Sequence, residues 1–248
     1  RGSKGYGKFK MGLFKFIHNN IYHLTISNNY AGKEFLKKKG FNKSKLKVIH
    51  NGIKRRNKAD YLNTKLNKQL TILSVGRFDY FKDYFTALKA VDYLRKSLIQ
   101  DPFKYIIIGY GDEKSKKELE SWIQQLSLEF IVEIVINPPN IYDYYNKVDI
   151  YLSTSIYEGF SNSIMEAMMH QLPVVATDVG DNKYLIKNEI TGYLCKAKDF
   201  ESISNSLFKL TLSLKNRVNM GKIGYDYICE NFELEIMKNK YLKVIENL

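Results

Sequence analysis

Residues 70–248 predict an α/β domain on a doubly wound parallel sheet, ending in an all-helical tail. Three observations lead there. Short β-rich runs alternate with amphipathic segments of helical length. The runs are apolar throughout rather than at every second residue, as strands are when helices cover both faces of a sheet. The composition is that of an ordered globular chain, 248 residues with 44% hydrophobic and 26% charged, which excludes the disordered class. No internal repeat or low-complexity linker interrupts the order. A Rossmann-like sheet of this kind binds ligands at the carboxyl ends of its strands, where strand order reverses. Chemistry is therefore expected in the loops that follow strands.

The first strand is read at 71–75, followed by a helix at 83–98 whose apolar positions are Phe85, Leu88, Val91, Tyr93 and Leu94. A second strand at 105–108 precedes a charged helix at 113–126. A third strand is read at 130–136, a short helix at 141–148 and a fourth strand at 150–153. Tyr142, Tyr144 and Tyr145 read as the packing face of that short helix. A helix at 161–171, a fifth strand at 174–177 and a sixth at 192–194 complete the alternation, and residues 199–248 read as all-helical. Upstream the pattern is weaker. Ser27 is read as the cap of a helix running to Lys39 with Gly40 as its stop, and 47–49 as a short strand ending at His50-Asn51-Gly52. Residues 1–20 carry no strong pattern.

The net charge of +13 is unevenly placed. Residues 1–58 hold 16 basic side chains and one acid, Glu34, whereas residues 59–248 balance at −2. The bulk of the domain is near neutral and the N-terminal segment is a cationic appendage, which argues against a general nucleic-acid binder. The lysines at 37, 38, 39, 43, 45 and 47 read either as a solvated surface or as an attraction to an anionic membrane. Cys195 and Cys229 have neither metal-ligand spacing nor a disulfide framework, and read as reduced thiols in a cytoplasmic protein. No apolar run reaches the roughly 18 residues that span a bilayer. The expected localisation is cytoplasmic, with peripheral contact at the inner face of the cytoplasmic membrane as the reading of the basic run. The chain opens on Arg1, and is expected to be a piece of a longer protein. His18, His23, His50 and His170 show no metal-site spacing and read as structural or solvent-facing.

Three post-strand loops carry candidate chemistry. Gly76-Arg77-Phe78 follows the first strand, with Lys82 five residues beyond Arg77; two cations on one glycine-containing loop suit a diphosphate. Gly109-Tyr110-Gly111-Asp112 follows the second, as a truncated dinucleotide fingerprint or simply a tight turn. After the fourth strand comes Glu158-Gly159-Phe160-Ser161-Asn162-Ser163-Ile164-Met165-Glu166. Ser161 or Asn162 is placed to cap the helix, whose first N–H groups would face an anion. Glu158 lies before that helix and Glu166 within it, so the two carboxylates reach different parts of one ligand. Acid/base work on a glycoside is one use of such a pair, and hydrogen bonding to sugar and ribose hydroxyls is the other.

The run from Glu158 to Glu166 resembles the E-x7-E motif of retaining GT-B glycosyltransferases of the group 1 (family 4) type. Val75-Gly76-Arg77 with Lys82, Ile108-Gly109-Tyr110-Gly111, the stretch from Pro173 to Gly180, and His50-Asn51-Gly52 resemble the same family in the same order. The resemblance implies the C-terminal, nucleotide-sugar-binding half of a GT-B fold. On that basis residues 1–50 are the end of an N-terminal acceptor domain plus the interdomain segment. Residues 51–230 are then the donor-binding domain and 231–248 a C-terminal helix. The implied activity is transfer of a hexosyl or N-acetylhexosaminyl unit to a glycan or lipid-linked acceptor, with retention and without a metal or cofactor. The donor is implied to be UDP-linked, and no nucleic acid is expected as a partner.

Residue by residue, the resemblance places Arg77 and Lys82 on the diphosphate, Glu166 on the ribose and Glu158 beside the donor sugar as the catalytic residue. Gly76, Gly109, Gly111, Gly159, Phe160, Ser161, Asn162 and Ser163 complete the donor contacts, with the nucleobase near Ile136 and Asn137. Three positions depart from the family pattern: the run 168–171 in place of small residues, Asp181 in place of a glycine, and Asp83 after Lys82. Two alternatives stand beside this reading, a non-transferring GT-B enzyme such as a nucleotide-sugar epimerase, and an inactive basic module that binds membrane or nucleic acid. The intact glutamate pair favours a transferase, and no basic motif interleaved with aromatics supports nucleic acid.

Overall fold

The structure, a computed structural model, describes residues 3–55, 69–98 and 102–248. Helix α1 spans Ser3–Asn20, strand β1 Thr25–Ser27, helix α2 Tyr30–Lys38 and strand β2 Leu46–Val48. β1 and β2 pair in parallel as a small two-stranded sheet. Where residues 1–20 gave no pattern, 18 residues are helical. The cap of α2 is Asn29 rather than Ser27: the Asn29 side chain accepts from the Gly32 N–H, while Ser27 sits in β1 and its hydroxyl donates to the Asn29 carbonyl at 2.8 Å. Gly40 does end the helix, in the left-handed region at φ 82°.

The main sheet contains β3 (Leu70–Val75), β4 (Phe103–Gly109), β5 (Val132–Ile136), β6 (Ile150–Ser153), β7 (Val174–Thr177) and β8 (Gly192–Cys195). Its strand order is β5-β4-β3-β6-β7-β8, every pair parallel. Between them run α3 (Tyr84–Ser97), α4 (Glu113–Gln125), α5 (Tyr142–Lys147), α6 (Asn162–Met169) and α7 (Asn182–Leu185). The third strand starts two residues later than the sequence suggested. Phe130 is 97% exposed in the turn before it, after Ser127 has taken a positive φ.

Strand residues go alternately to two cores, which is why the runs are apolar throughout. Ile72, Ile107, Ile150, Leu152 and Val175 pack with α3, α4 and helix α8 (Phe200–Thr211) on one face. Leu73, Ile108, Tyr151, Val174 and Ala176 pack with α6 and helix α9 (Leu214–Phe232) on the other. The tail breaks at Glu233 and continues as α10 (Leu234–Ile245). The break has a partner: Ile53 N–H donates to the Phe232 carbonyl, and Leu234 N–H donates to the Ile53 carbonyl, each at 2.9 Å. α10 is thereby returned to the segment that leads out of the small sheet.

Strand order turns back between β3 and β6. The connections β3 to β4 to β5 run one way from that point, and β6 to β7 to β8 the other. Between the carboxyl ends of β3 and β6 lies the crevice where open sheets of this order take ligands.

Candidate functional site

Two loops bound the crevice. After β3, Asp79 folds a single turn over Tyr80–Lys82 by accepting the N–H groups of Phe81 and Lys82 at 3.0 and 3.2 Å. Asp83, at φ 46°, then caps α3, with its carboxylate accepting the Thr86 hydroxyl at 2.7 Å. After β6, the Thr154 hydroxyl bridges to the Lys82 and Asp83 carbonyls at 3.0 Å each, and Ile156 N–H donates to the Phe81 carbonyl at 2.8 Å. The loops are thus bolted together by one backbone bond and the Thr154 hydroxyl. Their side chains then meet: Lys82 Nζ donates to Glu158 Oε1 at 2.5 Å, and the Ser155 hydroxyl donates to the same oxygen at 2.8 Å. Lys82 is 22% and Glu158 14% exposed, so this is a largely covered ion pair. A lysine carries three donors, and Nζ keeps capacity for a further anion while holding Glu158.

Arg77, read with Lys82 as one cationic pair, sits apart. It is 63% exposed and bonded to Asp79 Oδ2 at 3.1 Å. Gly76, Gly109 and Gly111 lie where the turns after β3 and β4 touch. Phe78 N–H donates to the Tyr110 carbonyl at 2.7 Å, and a Cβ on Gly109 would fall 1.8 Å from the Gly76 carbonyl oxygen. That glycine makes room for the protein's own neighbouring turn. The buried Tyr84 phenol donates to the Gly76 carbonyl at 3.0 Å, its pKa pushed well up by burial. Ile136 and Asn137 end β5 on the same rim; both are exposed, and Asn137 N–H donates to the Gly109 carbonyl at 3.2 Å.

Ser161 holds the N-cap position of α6 but makes no side-chain bond to the helix, and its hydroxyl lies 3.2 Å from that of Ser163. Asn162 Oδ1 accepts from Asn51 Nδ2 at 2.9 Å instead of capping. The expectation that one of the two caps the helix therefore fails; the start of α6 is left without a side-chain acceptor. Glu166, one turn inside α6, accepts from the Tyr145 hydroxyl at 3.1 Å. Burial pushes the Tyr145 phenol well up, so it stays a donor to that carboxylate.

The histidines divide. His18 is buried and bonded to Thr25 and Asn42, His170 is buried against Asn146, and His23 is exposed. His50 is 2.8 Å from Asp181 Oδ2. Sequence reasoning missed Thr154, Ser155 and Tyr145 as supports of the two glutamates. The first two lie between the strand read at 150–153 and Glu158 and were given no role, and the third read as a packing residue, although a hydroxyl directly after a strand in this fold is itself a signal. Among the described residues no group of three His, Cys, Asp or Glu is placed to hold a metal, and no helix is long and apolar enough to cross a membrane.

Comparison with known proteins bears on this geometry. The pattern of the family "Glycosyl transferases group 1" matches residues 56–227, more than half of the chain. The chain belongs to that family. The amylovoran biosynthesis glycosyltransferase AmsK of Erwinia amylovora is 31% identical over 195 residues, covering 75% of this chain and 47% of AmsK. An α-1,4-N-acetyl-D-galactosaminyltransferase of Campylobacter jejuni, named for a GalNAc-containing undecaprenol diphosphate, is 27% identical over 188 residues, 74% of this chain and 50% of its own. The chain spans about half the length of the curated relatives it matches. Among solved structures, Anabaena HepE in complex with UDP and glucose superimposes with a TM-score of 0.85 at 19% identity, over 99% of this chain and 68% of HepE. The group 1 domain here is therefore an α/β unit matching the C-terminal domain of a GT-B fold.

Proposed function

We propose that this group 1 domain binds a nucleotide-sugar, UDP-linked, and serves in retaining transfer of a hexosyl or N-acetylhexosaminyl unit to a glycan or lipid-linked acceptor. The Lys82–Glu158 pair at the switch point carries the reading. Departure of a nucleoside diphosphate from a sugar leaves negative charge on the phosphate and positive charge on the anomeric carbon. A fixed cation and a fixed carboxylate side by side match that charge separation before it develops. Lys82, joined by Arg77 from the solvent side, holds the diphosphate. Glu158 faces the sugar, and the backbone of Gly159, Phe160 and Ser161 with the uncapped start of α6 faces the leaving group or sugar hydroxyls. Glu166 takes the ribose hydroxyls, fixed in place by Tyr145. Ile136 and Asn137 take the base. No metal is required, because Lys82, Arg77 and the helix start neutralise the diphosphate.

The relatives' names support the sugar and acceptor classes: AmsK is named for polysaccharide biosynthesis and the Campylobacter enzyme for a lipid diphosphate. Residues 1–50 are read as the end of an acceptor-binding domain, 51–230 as the donor domain and 231–248 as the closing helix. Contact with an anionic membrane fits Leu13, Phe14 and Phe16, exposed on the same basic N-terminal segment; each nearby cation adds about 1 kcal/mol at such a surface. The test of the main reading is a panel of UDP-, GDP- and ADP-sugars offered to the full-length protein with glycan and lipid-diphosphate acceptors. Transfer from a UDP-sugar with the α-linkage kept supports it, and inversion or turnover without an acceptor overturns it.

A further inference from the structure

We infer that His50 and Asp181 form a positioning latch that holds the loop carrying Glu158 against the N-terminal segment. The inference rests on the donor-site reading above. It starts from a buried node where three distant parts of the chain meet. Asp181, directly before α7, is 2% exposed. Its Oδ2 accepts the backbone N–H of Tyr30, at the start of α2, at 2.7 Å and lies 2.8 Å from His50 Nε2. Its own N–H donates to the Gly159 carbonyl at 2.9 Å. Gly180 permits this approach: it takes φ 56°, and a Cβ there would stand 2.1 Å from the Glu158 carbonyl oxygen. The 180–181 turn therefore lies directly on the backbone of Glu158 and Gly159.

The same loop is also held by the N-terminal segment. The His50 ring stacks on Phe160, with centroids 4.2 Å apart and planes 17° from parallel. Asn51 Nδ2 bonds Asn162, and Gly159 lies against the Asn29 side chain. The run 159–162 is thus held by two jaws, the 180–181 turn and the 29–51 segment. Asp181 ties one jaw to the other through two bonds, to the Tyr30 N–H and to His50, and the His50 contact is the side-chain half of that tie. A carboxylate this buried is costly to leave with the Tyr30 N–H alone, and among the described residues the His50 ring has no other hydrogen-bond partner. The two side chains therefore act as one unit.

Neither residue touches the Lys82–Glu158 pair directly; both are positioning residues. Their effect falls on the placement of Glu158 and the start of α6, where a displacement of an ångström is enough to lower turnover sharply. Because His50 belongs to the segment that leads from the small sheet, the latch also transmits the position of that segment to the donor loop.

The test is hydrogen–deuterium exchange on the full chain, reading segments 158–165 and 179–186 against the β3 segment 71–75. Asp181→Ala and His50→Ala are each expected to speed exchange in the first two segments by about tenfold and to leave 71–75 unchanged. The double variant is expected to be no faster than the faster single one. Asp181→Asn, which keeps an oxygen for the Tyr30 N–H and an amide for a neutral His50, is expected to retain most of the protection, and it serves if an alanine variant fails to fold. With donor turnover measured alongside, the alanine variants lower kcat more than they raise KM, and Asp181→Asn restores kcat. Unchanged exchange in all variants, acceleration that extends equally to 71–75, or effects that multiply in the double variant overturn the latch. The exchange readout needs no turnover, so a wild-type chain that accepts no nucleotide sugar counts against the function reading alone.

Discussion

At the carboxyl ends of β3 and β6, Lys82 and Glu158 are locked to each other and to Ser155, and their loops are joined through Thr154 and the Ile156–Phe81 backbone bond. At the ends of β4 and β5 the same rim is open: Ile136 is 44% exposed, and Arg77 leans out to Asp79 from the edge of the β3 loop. Both regions arise from one topology, yet only the first is organised in advance of a ligand. The difference indicates where transition-state stabilisation and where ordinary binding energy should reside. Groups already fixed can act on charge as it develops, whereas groups that must be gathered by the ligand spend part of their contact energy on being ordered.

The comparison is broken most directly at Glu158. Glu158→Gln is expected to lower kcat by about 10²-fold, since it removes the preorganised charge that the proposed donor pose sets beside the anomeric carbon. Steady-state kinetics of the full-length enzyme check it, and an unchanged kcat removes the catalytic assignment. Next comes Lys82→Ala, expected to weaken nucleoside-diphosphate binding by about tenfold to a hundredfold. It deletes a cation and also leaves Glu158 a largely covered carboxylate held, among the described residues, only by the Ser155 hydroxyl, beside the proposed diphosphate position. Glu166→Gln is expected to raise KM several-fold with little change in kcat, because the proposed ribose contact would be shared by ground and transition states. The same split at Glu158, or a reversed one, shows the glutamate roles to be wrong. Arg77→Ala is expected to have the smallest effect, a loss in affinity of about fivefold or less, as for an exposed side chain whose ion pair is screened by water. Calorimetry that places Arg77 above Lys82 contradicts the division into fixed and gathered halves.

Much of this arrangement was legible in the residues. The six strands follow from runs such as Ile150 to Leu152, whose residues are all core-forming because successive neighbours enter different cores. Glu158 and Lys82 were legible because each follows a strand. What was not legible was relational. Arg77 and Lys82 look equivalent along the chain, and only the turn capped by Asp79 sends one inward and leaves the other in solvent. Helix α1 escaped notice because its apolar residues, Leu13, Phe14 and Phe16 among them, stand exposed and give no clean buried stripe. Ser161 and Asn162 have the chemistry of caps, but their side chains are engaged by Ser163 and Asn51. Asp181 read as a departure from a glycine pattern, and its partner His50 lies 131 residues away along the chain, beyond the reach of any local pattern.

The central claim is that Lys82 anchors the donor diphosphate while Glu158 is held beside it for the sugar. One measurement separates these roles by sign: calorimetric titration of UDP into the wild-type chain, Lys82→Ala and Glu158→Gln. UDP carries the diphosphate but no sugar. Removing the lysine must weaken it, whereas removing the neighbouring negative charge frees Lys82 and must leave affinity equal or higher. The account predicts a loss of about tenfold or more for Lys82→Ala and no loss for Glu158→Gln. Equal affinity in wild type and Lys82→Ala, or a matching loss in both variants, contradicts it.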